Sequence, residues 1–179
     1  HRKILPSAYE DLIVSGFLRF NKKDNSLIYP IVQSATKLQE VLKIQRIYLN
    51  DKGEKIEKKM LGNAGKISIL PPISQALSGA VPAFLVIEGL ESALSVRSHF
   101  ESSEILVTNG KANLKHVPDF LPQEASVLII SDHDINERPN QNGQTDAAHL
   151  RTVLQEKGYS VEAKMSAEPK VDANDAIQE

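Results

Sequence analysis

The segment Ala83-Phe84-Leu85-Val86-Ile87-Glu88-Gly89 lies near the middle of this 179-residue chain and gives the clearest indication of its fold. Its five consecutive apolar residues predict a short strand that is buried on both faces, as in the interior of a parallel sheet. The acidic residue and the glycine that follow predict the end of that strand. Because parallel strands are joined by crossover connections, helical patterns are expected to separate this strand from its partners.

Strand and helix patterns do alternate after this stretch. Further strands are predicted from apolar or β-branched runs, at 105–107, 127–130 and 159–165. Helices are predicted between them, at 91–100, 112–116 and 145–157. This order predicts an α/β domain over residues 80–179, with right-handed crossovers and a mostly parallel sheet.

The pattern before residue 80 is different. Apolar residues near helical spacing over 4–20 predict an amphipathic helix of roughly three turns, whose apolar stripe should join the core. Short strands are predicted from β-branched and aromatic runs, at 27–32, 41–49 and 67–70. We therefore expect a small basic α+β subdomain, residues 1–75, in front of the α/β domain.

Composition narrows the class of protein. Hydrophobic residues make up 41% of the chain and charged residues 25%, which is typical of a globular protein with a full core. The sequence lacks a run that is long and apolar enough for a transmembrane helix, and it lacks a secretory signal, so we expect a cytoplasmic protein with no membrane partner. The absence of Cys excludes disulfides, thiolate catalysis and Cys-based zinc sites. The start at His1, without Met, leads us to expect a fragment of a longer polypeptide.

Charge is distributed unevenly along the chain. Residues 1–66 contain 13 Lys and Arg against 7 Asp and Glu, whereas residues 67–179 contain 8 against 16, so the two parts carry about +6 and −8. Such asymmetry is typical of a protein with a polyanion partner or a cation site. Lys58, Lys59 and Lys66 are candidates for contacts to nucleic-acid phosphates. Ordinary solvated lysines, on two differently charged surfaces, are the alternative.

Polar and acidic residues that could bind a ligand follow the predicted strands. Ligands of open parallel sheets bind beyond the carboxyl ends of the strands, where this sequence has Glu88, Asn109 and the pair Asp132 and Asp134. Carboxylates at positions i and i+2 of an extended chain share one face, so this pair could hold a cation together with Glu88 from the neighbouring strand. Carboxylates without Cys suit a hard ion such as Mg²⁺ or Mn²⁺. Each motif alone could be a turn or a chance pair, but together they favour a site for metal and phosphate.

Four motifs resemble the Toprim (topoisomerase-primase) domain, in the form found in primases and primase-helicases of phages, plasmids and other mobile elements. Residues 85–94, from Leu85 to Leu94, look like its first motif, and residues 127–134 look like its second, a hydrophobic strand that ends in Asp-x-Asp. The glycine and paired alanines of 143–148 resemble the start of its next helix, where small residues allow close packing on the sheet. Residues 170–175 resemble a late segment of such primases. The resemblance spans about 83–177.

The resemblance implies a Rossmann-like Toprim core with a mostly parallel sheet, whose catalytic carboxylates bind Mg²⁺ or Mn²⁺. Asp132 and Asp134 would be metal ligands. Glu88 would be a metal ligand or the general acid and base, and Asp172 would be an additional ligand.

The resemblance also implies residues that surround the metal. Gly89 would let the backbone approach the metal and phosphate, and Asn109 and Gly110 would line the site. Two features depart from the family pattern. An insertion at 136–142 lengthens the loop after the second motif, and an extra Val171 leaves the role of Lys170 open.

The activity implied is that of a DNA primase, a nucleotidyltransferase that makes RNA primers on single-stranded DNA. Its expected partners are the template, nucleoside triphosphates and a helicase or relaxase region of the same or another chain. A metal-dependent nuclease or a topoisomerase-like enzyme would use the same carboxylates, although a catalytic Tyr domain is not evident. A Toprim module that binds DNA without catalysis is the third alternative.

Overall fold

The computed structural model describes residues 6–32, 41, 43–62, 65–73, 83–131 and 143–165. Its strands are β1 Arg19–Asn21, β2 Ser26–Ile31, β3 Lys43–Leu49, β4 Lys55–Gly62, β5 Ser68–Leu70, β6 Phe84–Ile87, β7 Glu104–Val107, β8 Ser126–Ser131 and β9 Ser160–Met165. Its helices are α1 Glu10–Val14, α2 Leu90–Arg97 and α3 Gly143–Glu156, with 3₁₀ segments at Pro6–Ala8 and Lys111–Phe120. Together they form a mixed α/β fold with two sheets.

The larger sheet has the strand order β5-β7-β6-β8-β9. Strands β7, β6, β8 and β9 are parallel, and β5 joins the edge beside β7 in the antiparallel direction. The predicted α/β architecture is confirmed at this level, as a largely parallel sheet built from alternating strands and helices. The apolar run at 83–87 supplies its central strand, β6.

Side chains of β6 alternate between two cores, which explains why the strand is apolar throughout. Leu85 and Ile87 pack into a core with α2 and the smaller sheet. Phe84 and Val86 pack into a second core, which contains residues of the Lys111–Phe120 segment and of α3. The larger sheet is therefore covered on both faces, as the sequence predicts.

The smaller sheet is an antiparallel meander of β1, β2, β3 and β4. Strands β2 and β3 match the predicted runs. Tyr29 and Ile31 of β2, and Gln45 and Ile47 of β3, are buried at alternate positions. Strand β4 is absent from the sequence prediction. Every residue of β4 is exposed, so its sequence carries no burial pattern, and its pairing with β3 alone makes it a strand.

The predicted helix over 4–20 is much shorter in the structure. Helix α1 ends at Val14, and Gly16 follows in the left-handed conformation with φ +73°, which is a common way to terminate a helix. Leu12 is buried in the core, but Ile13 is exposed, so only part of the predicted apolar stripe is core. The chain then enters β1.

Residues of both sheets share the core that lies on the α2 side. Leu12, Tyr29 and Ile47 pack there with Leu85 and Ile87. The predicted boundary between the two domains, 75–80, lies outside the described residues, so the division stays a prediction. Over the ranges that the structure describes, no helix has the length and apolar character needed to cross a membrane.

Candidate active site

Three parallel strands end side by side at one edge of the larger sheet. Ile87, the last residue of β6, pairs with Val107 of β7 on one side and with Ile130 of β8 on the other. The prediction that these strand ends share an edge is confirmed. Glu88 follows β6 in the middle of this edge. Thr108 follows β7 on one side, and Ser131 ends β8 on the other.

The second acidic motif begins where the described part of β8 ends. Ser131 is the last described residue of β8, and Asp132 is its neighbour in sequence. Asp132, Asp134, Lys170 and Asp172 lie outside the described residues, so their roles stay predictions. Within the described ranges, no three His, Asp or Glu side chains form a group that could hold a metal ion. Glu88 carries carboxylate oxygens, a type of donor that suits a hard cation, and Asp132 directly follows Ser131 in sequence.

Glu88 shares the lining of a small cavity with a lysine that the sequence analysis missed. Both Glu88 and Lys111 line a cavity of about 20 Å³, together with Ser131 and the buried Ala147. Lys111 begins the 3₁₀ segment directly after Gly110, so the turn that ends β7 brings a cation to the carboxylate edge. Its position directly after the predicted lining pair was the signal in the sequence.

A larger cavity adjoins the small one. Its volume is about 360 Å³, and it lies between the 3₁₀ segment and α3. The two cavities share Lys111 and Leu114, and the larger one is also lined by Lys115, Asp146 and His149. The larger cavity, which shares part of its wall with the Glu88 cavity, therefore has apolar, cationic and acidic side chains in its lining.

The two glycines of the predicted site differ in whether their backbone conformation requires glycine. Gly89 is the N-cap residue of α2 and has φ −116°, a conformation open to any residue, and a Cβ there would meet no atom within 4 Å among the described residues. Gly110 has φ +131° and ψ 154°, a conformation essentially restricted to glycine. The backbone conformation therefore explains why residue 110 is a glycine. At Gly89 the conformation does not require glycine, but the described residues leave open space where a side chain would be.

Asn109 ties the end of β7 to Glu88. Its backbone N–H donates to the carbonyl oxygen of Glu88 at 2.9 Å, and Thr108 N–H donates to Ile87 O at 2.9 Å, which continues the ladder past the strands. Asn109 is buried and has φ +58°, a left-handed conformation that Asn tolerates better than most residues. The predicted lining residue is therefore held in one place against the predicted catalytic one.

The predicted nucleic-acid lysines do not lie on one surface. Lys58 pairs with Ile47 and Lys59 with Arg46, so the two lysines lie on opposite faces of the smaller sheet. Lys58 shares its face with Gln45, whose side chain approaches the strand ends through Tyr29. Lys66 lies outside the smaller sheet, and its Nζ is 3.5 Å from the carboxylate of Asp119.

Lys59 belongs to a cluster on the outer face of the smaller sheet. Its Nζ lies 5.2 Å from the ring centre of Tyr48, and the guanidinium of Arg46 lies 5.3 Å from the same ring. Glu57 accepts a hydrogen bond from Lys59 at 3.0 Å, which raises the pKa of the lysine. The cations flank the aromatic ring, a combination that suits both nucleic-acid backbone and base contacts.

Of the paired alanines at 147 and 148, one packs on the sheet as predicted. Ala147 is buried in the core beneath α3, where its small side chain brings the helix close to β8. Ala148 is exposed, because it lies one residue further around the helix.

Comparison with known proteins gives structural neighbours only. No family model matches the sequence, and no curated protein matches it. One neighbour is a DNA primase domain from Pseudomonas aeruginosa, with a TM-score of 0.49, 15% identity and coverage of 94% of this chain and 54% of that one. The other is the primase fragment of the bacteriophage T7 primase-helicase protein, with a TM-score of 0.52, 10% identity and coverage of 99% of this chain and 66% of that one.

The chain thus spans less than two thirds of either neighbour. The similarity to the bacteriophage T7 fragment extends over nearly the whole chain, through both sheets. The resemblance to primase-type domains, which the sequence motifs indicate, is confirmed at the level of the fold: the chain is similar in fold to the bacteriophage T7 primase fragment.

Proposed function

We propose that this chain is the catalytic part of a DNA primase, with a Toprim core at 80–179 and a basic subdomain at 1–75. The observation that carries the proposal is the position of Glu88 at the carboxyl end of β6. It directly follows Ile87, which pairs with Ile130 of β8, and Asp132 and Asp134 come soon after Ile130 in sequence. Similarity of fold to a primase fragment supports it.

In this proposal the acidic edge holds Mg²⁺ or Mn²⁺. Asp132 and Asp134 would be ligands, Asp172 would add another, and Glu88 would be a ligand or the general acid and base. When bound, the cation supplies charge that stabilises the attacking and leaving oxygens of phosphoryl transfer. The protein residues orient the nucleotide and neutralise its phosphates, a task for which Lys111 is well placed beside Glu88.

The open space above Gly89 is where a phosphate would approach the backbone. Asn109 and Gly110 would line the opposite side, and the 360 Å³ cavity beside Lys111 offers room for part of a nucleotide. Lys58 is the lysine that we assign to the template near the site, because it lies on the face of the smaller sheet that carries Gln45. Lys59 and Lys66 would contact the nucleic acid further away.

The substrates proposed are a single-stranded DNA template and nucleoside triphosphates, in the cytoplasm. One of the structural neighbours is the primase fragment of a primase-helicase protein, so we propose a helicase region, in the same or another chain, as the partner. A phage, plasmid or other mobile element is the setting that the sequence motifs favour.

Primer synthesis is the direct test. The protein is incubated with single-stranded template, labelled nucleoside triphosphates and Mg²⁺ or Mn²⁺, and short labelled oligoribonucleotides are the expected product. Glu88→Gln should reduce synthesis by at least about 100-fold, because it removes the charge without changing the size of the side chain. Glu156→Gln, at the far end of α3, is the matched control and should retain full activity.

Other products would overturn the proposal in defined ways. Shortened template without oligoribonucleotides would indicate a nuclease that uses the same carboxylates. Binding of the template without either product would indicate a DNA-binding module without catalysis.

Metal binding can be tested without activity. Crowded carboxylates repel one another, so Mn²⁺ or Mg²⁺ should raise the melting temperature of the protein. Asp132→Ala should abolish this rise. Equal metal-dependent rises in wild type and variant would overturn the assignment of the metal site, even if primers were made.

A further inference from the structure

A chain of buried polar side chains joins the smaller sheet to the edge that carries Glu88. The hydroxyl of Tyr29, on β2, contacts the side-chain amide of Gln45, on β3, and donates to Asn109 Oδ1 at 2.9 Å. Tyr29 and Gln45 are 2% and 1% exposed. These contacts connect residues that are 80 positions apart in sequence, at the place where the two sheets meet.

The amide nitrogen of Asn109 completes this chain on the other side. Asn109 Nδ2 donates to Ser68 Oγ at 3.1 Å and to Val107 O at 3.0 Å, and Ser68 Oγ donates to Pro30 O at 2.7 Å. Both polar atoms of the Asn109 side chain are therefore fixed. A side chain held from both ends cannot rotate without breaking buried hydrogen bonds.

Gln45 completes the hydrogen bonding of the Tyr29 hydroxyl. A hydroxyl carries one hydrogen, so it donates to one of its two amide partners and accepts from the other. Gln45 Oε1 is the atom that faces the hydroxyl, and Gln45 Nε2 has no hydrogen-bond partner among the described residues. Exchanging the oxygen and nitrogen of this amide supplies the donor that the hydroxyl needs and satisfies Nε2 as well. Burial, and to a smaller degree the negative charge of Glu91, raises the pKa of Tyr29 well above its usual range, so the hydroxyl keeps its proton.

The backbone at Asn109 shows what these contacts maintain. With φ +58°, the residue is in a conformation that needs support from its surroundings. The same residue donates its backbone N–H to Glu88 O. A shift of Asn109 would therefore release the backbone of the residue proposed as catalytic.

We propose that Tyr29 and Gln45 are positioning residues for the active site, which hold Asn109, and through it the backbone of Glu88, in the geometry that the reaction requires. This inference rests on the proposed function. A merely structural role would predict that apolar side chains of the same shape serve as well. The smaller sheet also carries Lys58 on this face, so the network links the proposed template face to the strand ends.

Tyr29→Phe isolates the hydroxyl, because it preserves the ring and its packing. Supporting residues around a metal site typically change affinity or activity by 10–100-fold. We expect Tyr29→Phe to lower kcat for primer synthesis about 10-fold, with KM for nucleoside triphosphates within about 2-fold of wild type. Mn²⁺ affinity, measured by electron paramagnetic resonance, should weaken by about 10-fold as well.

Tyr159→Phe is the matched control. The Tyr159 hydroxyl donates to Leu121 O at 3.5 Å, but Tyr159 precedes β9, whose first residues lie at the opposite edge of the sheet. The same atom is thus removed from a partly buried tyrosine away from the site. Each variant is assayed at the same interval below its own melting temperature, which separates positioning from loss of stability.

Ser68→Ala is the second variant, in case Tyr29→Phe fails to fold. It removes the hydroxyl that accepts from Asn109 Nδ2, and it should lower kcat and Mn²⁺ affinity in the same direction. If wild type is active and binds Mn²⁺, while the network variants match Tyr159→Phe in kcat and Mn²⁺ affinity, the inference is overturned and the proposed function stands. If wild type neither binds Mn²⁺ nor makes primers, the proposed function fails, and the inference fails with it.

Discussion

Arg97 of α2 donates two hydrogen bonds to the carboxylate of Asp11 in α1, each 2.6 Å long. The guanidinium is fully buried, and its remaining donors reach the carbonyl oxygens of Ala8 at 2.8 Å and Pro71 at 2.7 Å. A buried charge is tolerated only when it is paired and hydrogen-bonded, and the planar fork of Arg matches a carboxylate well. One side chain thus attaches the N-terminal helix and the segment after β5 to α2.

Asp11→Ala should destabilise the protein by about 2 kcal/mol, measured by urea unfolding, which is less than for a fully buried pair because the Asp11 side chain is 44% exposed. The large effect is expected because the substitution leaves a fully buried guanidinium without its counter-charge. Glu57→Ala is the control, since it removes the partner of the exposed Lys59 and should cost less than about 1 kcal/mol. Equal small losses in the two variants would contradict the role given to the pair of Arg97 and Asp11.

The same pair predicts a pH dependence of stability. The hydrogen bonds from Arg97 hold the pKa of Asp11 below its usual value of 3.8. Because the folded pKa is lower than the unfolded one, the pair stabilises the protein fully above the unfolded pKa. This stabilisation is lost as the pH falls through the lower, folded value.

Asp11→Asn checks this pH dependence. The difference in free energy of unfolding between wild type and Asp11→Asn should be constant near neutral pH and should shrink below about pH 4. Urea unfolding of both proteins over the acid range measures it. A difference that stays constant down to the lowest pH would show that the charge of Asp11 is not what stabilises the pair.

Gly89 and Gly110 should respond differently to alanine. Gly110→Ala forces a side chain into a conformation reserved for glycine and should cost about 1–3 kcal/mol. Gly89→Ala should change stability by less than about 1 kcal/mol, because the lost helix-cap preference and the reduced entropy of the unfolded chain offset each other. Its primer synthesis should nevertheless fall at least about 10-fold if the backbone is approached by phosphate. Unchanged synthesis by Gly89→Ala would show that the space above this residue is not used.

The elements that were predicted correctly are those whose burial leaves a pattern in the sequence. Strands β6, β7 and β8 are apolar because the sheet is covered on both faces, and α3 shows one apolar stripe because one face is packed. Strand β4 was missed because none of its residues is buried. The helix over 4–20 was predicted too long because Gly16, which terminates α1, lies within an apolar pattern that continues past it.

The candidate site was predictable in part for a related reason. Topology alone brings the ends of parallel strands to one edge, so the position of Glu88 follows from the order of the elements. The supporting contacts could not be predicted in this way. Tyr29 and Asn109 are 80 residues apart, and Asp11 and Arg97 are 86 apart, and such pairs depend on how the two sheets pack. For Asp11 and Arg97, the sequence shows only an arginine at the end of a predicted helix. The structure is needed to show that almost all of this helix is buried.

Thr108 offers a last test of the strand-end edge. Its hydroxyl is fully buried and has no hydrogen-bond partner among the described residues, although its backbone N–H and carbonyl are both bonded. Thr108→Val removes this unsatisfied group at nearly constant shape, so the variant should be more stable than wild type by about 1 kcal/mol in urea unfolding. Ser103→Ala, at the start of β7, is a control in which a buried hydroxyl is removed at the opposite end of the strand. A Thr108→Val variant that loses stability instead would show that the hydroxyl has a partner in the folded protein, and parallel loss of Mn²⁺ affinity would place that partner at the acidic edge.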